Sequence, residues 1–229
     1  MERNTTPIIL FAGILLSWAA LGCSNPFAPA KHTPIEDTTE PPAPAADKPE
    51  QLIDNLHRAM RDRDKDLYES LLDQNFWFTE SDCAGELVWA NGLEDELEFI
   101  GGSRDGTQEG IFDVFRTFEF DFTLHPNGRS TELGRDYPKA YPEDPDGHDD
   151  EDWEIFRGRV QMLMINESGD GFRVDQIMTY KLREDRPSAD EAGLWKIIRW
   201  VDDPLSGDCG QGKPVVGLSS WTVAKRQSF

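Results

Sequence analysis

The side chains best equipped for chemistry are three cysteines, Cys23, Cys83 and Cys209, and a run of carboxylates between Glu143 and Asp152. Cys83 and Cys209 form an even pair, and in an oxidising compartment the natural chemistry of such a pair is a disulfide. Closing the long loop between them would stabilise a domain by roughly 4 to 5 kcal/mol in the chain-entropy model. The alternative keeps the two thiols apart. A catalytic thiol has less behind it, because neither cysteine lies in a Cys-x-x-Cys or beside a nucleophile signature. The acidic run supplies oxygen ligands of the kind calcium takes. Its spacing does not match an EF-hand, since Gly147 comes early relative to Asp144 and no Glu closes the loop, so a solvated acidic loop is expected. Zinc would find only His148 nearby, while His32, His57 and His125 form no ligand spacing. No metal site or cofactor is predicted, and no phosphate-binding glycine motif or Gly-x-Ser-x-Gly elbow occurs.

Cys23 stands apart. It ends the run Ala20-Leu21-Gly22-Cys23, behind an apolar stretch from Ile8 to Leu21 and a short head containing Arg3. That outline is an export signal, and its apolar part of about 14 residues falls short of the roughly 20 that span a bilayer. A small residue directly before the cysteine resembles the bacterial lipoprotein signal, which implies diacylation of the Cys23 sulfur and removal of residues 1–22. Ala20 stands where that signal more often has Leu, and a plain secretory signal is the alternative. Ser24 after the cysteine resembles sorting to an outer membrane. The membrane would then be the first partner, reached through lipid on Cys23, because more than one acyl chain is needed for firm anchoring.

The elements that position the remaining chemistry begin after a spacer. Residues 23–48 hold Pro26, Pro29, Pro34, Pro41, Pro42 and Pro44 and few large apolar residues, a composition that favours an extended tether of about 3.1 Å per residue. From Pro49 onward the chain is long enough for one domain with a single core. The formal net charge of -21 excludes nucleic acid as an expected partner, because phosphates must be met by Lys and Arg. It equally disfavours adhesion of the folded part to anionic lipid.

Leu52, Ile53, Leu56, Ala59 and Met60 recur at helical spacing and predict an amphipathic helix over Pro49 to Asp64. A second helix is expected over Asp66 to Leu72. A third carries Leu93, Leu97 and Ile100 and ends at Gly101-Gly102. Strands are predicted at Asn75 to Glu80, Glu86 to Ala90 and Thr117 to Leu124, where Phe118, Phe120, Phe122 and Leu124 alternate with polar residues. After an insertion over residues 125–152, three more strands follow at Trp153 to Ile165, Phe172 to Arg183 and Leu194 to Asp202. Consecutive antiparallel pairing is expected. Helices first and strands last give an α+β domain with N-terminal helices on a bent sheet.

Tyr68-Glu69-Ser70-Leu71-Leu72 running into Phe76-Trp77-Phe78, then Trp89 before a Glu-rich helix, and finally Leu194-Trp195-Lys196-Ile197-Ile198-Arg199-Trp200 with Asp202, together resemble the nuclear transport factor 2-like superfamily. More narrowly, the chain is similar to uncharacterised bacterial lipoproteins of that superfamily, over residues 49–203. The resemblance implies a cone of helices on a strongly curved antiparallel sheet, often with an apolar cavity and often a homodimer through the outer face of the sheet. The insertion and the tail over residues 204–229 have no counterpart in the family core.

Ketosteroid isomerase-like and polyketide cyclase-like enzymes belong to that superfamily and use a buried carboxylate as base. By that resemblance Asp202, on the same strand face as Ile198 and Trp200, is the candidate base, and Tyr180 the candidate hydrogen-bond donor. Equally, Asp202 can end its strand in water and Tyr180 can be a core residue. Phe78, Phe120, Phe122, Met178 and Trp200 would line a cavity if one is open, or form core if not. Two functions follow: a non-enzymatic envelope lipoprotein that binds a small apolar ligand or a protein partner, or an isomerase, cyclase or dehydratase-like enzyme built on the same cavity. No catalytic motif carries over residue by residue, so no residue is assigned a catalytic role.

Overall fold

A computed structural model describes residues 41–141, 146–186, 193–203 and 220–227. The chain divides into two units, Met1–Pro42 and Ala43–Phe229. Cys23 with its signal, most of the tether, Cys209 and Glu143 to Pro145 lie outside the described residues.

Helix α1 (Pro49–Asp62) opens with a proline whose missing N–H costs nothing in the first turn, and it buries Leu52, Ile53, Leu56, Ala59 and Met60. Arg63 ends it in the left-handed region at φ 55° and donates to the Phe112 and Phe115 carbonyls at 3.2 and 3.0 Å. Asp64 then caps α2 (Lys65–Leu71), accepting from the Leu67 N–H at 2.9 Å. The tether is already attached before α1 begins. Pro44 O accepts from Asn55 at 2.7 Å, and Ala46 O accepts from the Trp195 N–H at 2.8 Å.

Strands β1 (Leu72–Ser81) and β2 (Leu87–Gly92) form a hairpin, followed by α3 (Leu93–Gly101) and the short α4 (Ile111–Val114). Strands β3 (Phe115–Glu132), β4 (Trp153–Asn166), β5 (Gly171–Asp185) and β6 (Leu194–Asp203) complete one open sheet in the order β2-β1-β6-β5-β4-β3. The domain is therefore α+β. Its sheet is mixed rather than purely antiparallel, because β1 and β6 run parallel. Strands far apart in sequence meet there, and a local pattern carries no information about that direction.

Two irregularities decide which side chains face inward. Between Leu124 and Arg129 the β3–β4 register shifts, after which Arg129 to Glu132 pair with Phe156 to Trp153. The segment His125-Pro126-Asn127-Gly128 is thus a bulge inside a long strand, and the first part of the expected insertion is sheet. A Cβ on Gly128 would stand 1.9 Å from the Arg157 carbonyl oxygen, which explains glycine at the bulge. Leu124, next to it, is 40% exposed rather than aligned with the buried phenylalanines. In β6 the register shifts at Ile198, so that Ile197 and Trp200 face the main core while Ile198 packs with Trp153 and Ile155 on the other side.

A helix not foreseen from the sequence closes the chain. The tail forms α5 (Trp221–Gln227), and Trp221 and Ala224 enter the same core as α1 to α4 and the sheet. Ser220 caps it, accepting from the Val223 N–H at 3.1 Å.

Candidate functional site

The inner face of β5 and β6 sets out a row of aromatic rings. Tyr180 meets Trp200 edge-on at 4.8 Å between centroids, Phe122 meets Tyr180 at 5.4 Å, and Phe78 meets Trp200 at 6.1 Å. Gly158 permits this closeness, since a Cβ there would come within 2.5 Å of the Phe122 ring. Met178 accepts a 3.6 Å contact from the Tyr180 hydroxyl at its sulfur. Phe120 joins the same core but its ring lies against His57 of α1 at 5.0 Å.

Asp202 does not end its strand in water. It is 0% exposed, and the Trp200 Nε1–H donates to its Oδ1 at 2.8 Å, while Oδ2 has no partner among the described residues. The Ile198 bulge turns Asp202 inward with Trp200, and the tail covers what would otherwise be the strand end. Burial pushes the Asp202 carboxyl well above the usual carboxylate range; Lys225 and the Trp200 N–H oppose the shift without reversing it. Tyr180 and Tyr68 are pushed well above the usual phenol value by burial first and by neighbouring acids second.

A second buried acid was not singled out from the sequence. Glu96 of α3 is 0% exposed and accepts from the Tyr68 hydroxyl at Oε1 (2.9 Å), and from Asn91 Nδ2 (2.9 Å) and Lys225 Nζ (2.5 Å) at Oε2. Asn91 in turn accepts from the Trp89 indole N–H at 3.0 Å. Lys225, also 0% exposed, stands 3.5 Å over the Phe78 ring. Burial lowers its pKa, and Glu96 works against that. Lysine is almost never fully buried unless paired, so the Glu96–Lys225 pair is a condition of α5 lying where it does. Glu96 could have been suspected, because it falls on the helical stripe of Leu93, Leu97 and Ile100. Lys225 follows Trp221 by one helical turn, but the tail carries too little periodic context to predict that helix.

Of four surface clefts among the described residues, one is bordered by Phe120 with Met162 and Arg173, and none is lined by Phe78, Phe122, Met178, Tyr180, Trp200, Asp202, Glu96 or Lys225. Phe122 apart, the interior group is fully buried. Its chemistry is that of a cation held between a carboxylate and aromatic faces, next to a second acid with one unsatisfied oxygen.

On the outer face the expected solvated loop is partly packed. His148 is 2% exposed, stacked on Trp153 at 3.8 Å and on Tyr137 at 5.1 Å, and its Nδ1 lies 2.8 Å from the Glu151 carbonyl. Asp152 accepts from the Gly134 N–H, and Asp146 accepts from Arg199 Nε at 3.1 Å. These carboxylates serve the backbone and arginine, and no group of three or more metal-ligating side chains occurs among the described residues. Cys83 lies in the exposed turn between β1 and β2. No helix among the described residues is long and apolar enough to cross a membrane.

No protein-family model matches the sequence, and no curated protein matches it. Solved structures do. A candidate aromatic ring hydroxylase from Novosphingobium aromaticivorans is 16% identical, with a TM-score of 0.44 over 68% of this chain and 85% of that one. An NTF2-like superfamily protein from Salmonella enterica is 11% identical, with a TM-score of 0.43 over 71% and 93%. An NTF2-like protein of unknown function in nutrient uptake from Rhodospirillum rubrum is 15% identical, with a TM-score of 0.39 over 67% and 95%.

Proposed function

We propose that this chain is a lipid-anchored protein of the bacterial cell envelope whose folded domain binds a small apolar ligand or a protein partner without transforming it. What supports this reading is that both oxygens of Glu96 are occupied and that Asp202 lines none of the four clefts described above. A general base must reach a proton on its substrate, whereas a binding site can be filled until its ligand arrives. The anchor is diacylated Cys23 on the outer membrane, supported by the apolar stretch from Ile8 to Leu21 and by Gly22 directly before the cysteine. We assign the interior to a cone of helices on a curved sheet, with a homodimer through the outer face and a Cys83–Cys209 disulfide. Support for the disulfide is the even cysteine count in an exported chain. The acidity of the chain speaks against nucleic acid as the partner.

Mass spectrometry of small molecules and proteins carried by the purified mature chain tests the binding role. A retained compound or partner in stoichiometric amount is expected, and a clean, empty protein contradicts it. Globomycin sensitivity and loss of membrane attachment in Cys23→Ala test the anchor; a variant that stays on the membrane overturns it.

One observation favours the enzymatic alternative. Asp202 is a buried acid with a raised pKa beside Tyr180, the arrangement that an isomerase or cyclase base would need. Deuterium exchange alpha to the carbonyl of cyclic ketones, catalysed by the wild type and abolished in Asp202→Asn, would favour that reading over binding alone.

A further inference from the structure

We propose that α5 is a built-in stand-in for a ligand, and that the interior takes a small aromatic ammonium compound which competes with Trp221 and Lys225 for the same walls. This rests on the binding role proposed above and names the chemical class bound.

The helix delivers two groups into the interior from one stripe. Trp221 and Lys225 are one helical turn apart and both fully buried. The walls that receive them are complementary: the ammonium lies 2.5 Å from Glu96 Oε2 and 3.5 Å over the Phe78 ring, and the Trp221 indole stacks on Trp200 with planes 13° apart at 6.4 Å. An ammonium over an aromatic face with a carboxylate at its side is the general recognition pattern for organic cations. Once the helix leaves, Glu96 remains without its cation, so the vacated site selects positive charge.

The fit of α5 is incomplete. Trp221 Nε1, Thr222 Oγ1 and Asp202 Oδ2 are buried without a hydrogen-bond partner among the described residues. Native interiors seldom leave such atoms unpaired, and their concentration around one short helix singles out that helix as the exchangeable part. Among the described residues its start is held by a cap at Ser220, whose hydroxyl also donates to Glu80 at 3.4 Å, and by the Gln176 side chain, which accepts from the Trp221 N–H at 2.8 Å. Seven residues are too few to persist as a helix away from the domain, so displacement and unfolding of α5 coincide.

Tryptamine, which joins an indole to an ammonium, is the probe, and tryptophol, its neutral counterpart, is the control. Calorimetry on the wild-type mature chain should show saturable tryptamine binding, with tryptophol weaker by at least about tenfold. Hydrogen exchange in the same sample should show residues 220–227 losing protection while α1 is unchanged. Because the apparent affinity scales with the fraction of open site, Trp221→Ala should bind tryptamine at least about tenfold more tightly. Equal binding of tryptophol, binding that leaves α5 protected, or no binding of tryptamine to either protein would overturn the proposal. If tryptamine fails while a neutral apolar molecule is found on the purified protein, the cationic class falls and the binding role stands. An empty protein in both experiments removes both.

Discussion

The two faces of the sheet bury charge in different ways. Inside, Lys225, Glu96 and Asp202 are fully buried, and three polar atoms around α5 lack partners among the described residues. Outside, Arg199 lies 5.4 Å from the Trp153 ring and reaches Asp146 at the solvent edge, where Asp146 remains mostly exposed. His148 stacks between Tyr137 and Trp153, with only its Nε2 unpartnered at 3.6 Å from Glu132. The outer cluster is a packed corner in which polar groups find backbone or side-chain partners, as Asp152 does at Gly134, His148 at Glu151 and Arg199 at Asp146. The inner cluster keeps a surplus of unmet polar capacity. Packing accounts for the first, and the second is where the proposed ligand site lies.

Breaking the inner ion pair should give the largest effect. Glu96→Ala leaves Lys225 buried without its counter-charge and Tyr68 and Asn91 without their acceptor, so a loss of about 3 to 5 kcal/mol, or release of α5, is expected in urea unfolding. A loss below about 1 kcal/mol would place Lys225 in water.

Asp202→Asn should act in the opposite direction. Its folded-state pKa is raised, so between the ordinary carboxylate value near 4 and that raised value the native protein binds the extra proton. Stability from this group is complete below that window and is lost as pH rises through it. The variant keeps the acceptor for Trp200 and should be more stable than wild type at pH 7, with the difference vanishing near pH 3. A difference independent of pH would show that Asp202 does not titrate in this way.

On the outer face, His148→Ala removes a ring from the Tyr137–Trp153 stack and should cost about 1 kcal/mol, read by thermal unfolding without any change in α5 protection. Arg116→Ala, which removes an exposed pair with Glu167, should change stability by less than about 0.5 kcal/mol.

Much of the frame is legible in the residues. The α1 stripe and the alternation of Phe118, Phe120 and Phe122 locate their elements because each pattern is local and repeats at the period of its own structure. The bulges at Gly128 and Ile198 are not legible, because one extra residue reverses the inward face without altering composition. That is why strict alternation groups Leu124 with the buried phenylalanines and Ile198 with Trp200, where the structure separates both pairs. The parallel β1–β6 pair depends on contacts across the whole domain. Phe78, Met178, Tyr180 and Trp200 can be named from their strands, whereas the partner of Glu96 lies 129 residues away on a tail with no repeating pattern.

Native-state hydrogen exchange along a urea series, on the wild-type mature chain without added ligand, tests most directly whether α5 is an exchangeable occupant of the interior. Amides of residues 220–227 should exchange through a sub-global opening, at least about tenfold faster than the core of α1 and with a small dependence on urea. Exchange of α5 and α1 with the same free energy and the same urea dependence would make the helix an integral part of the core and contradict that claim.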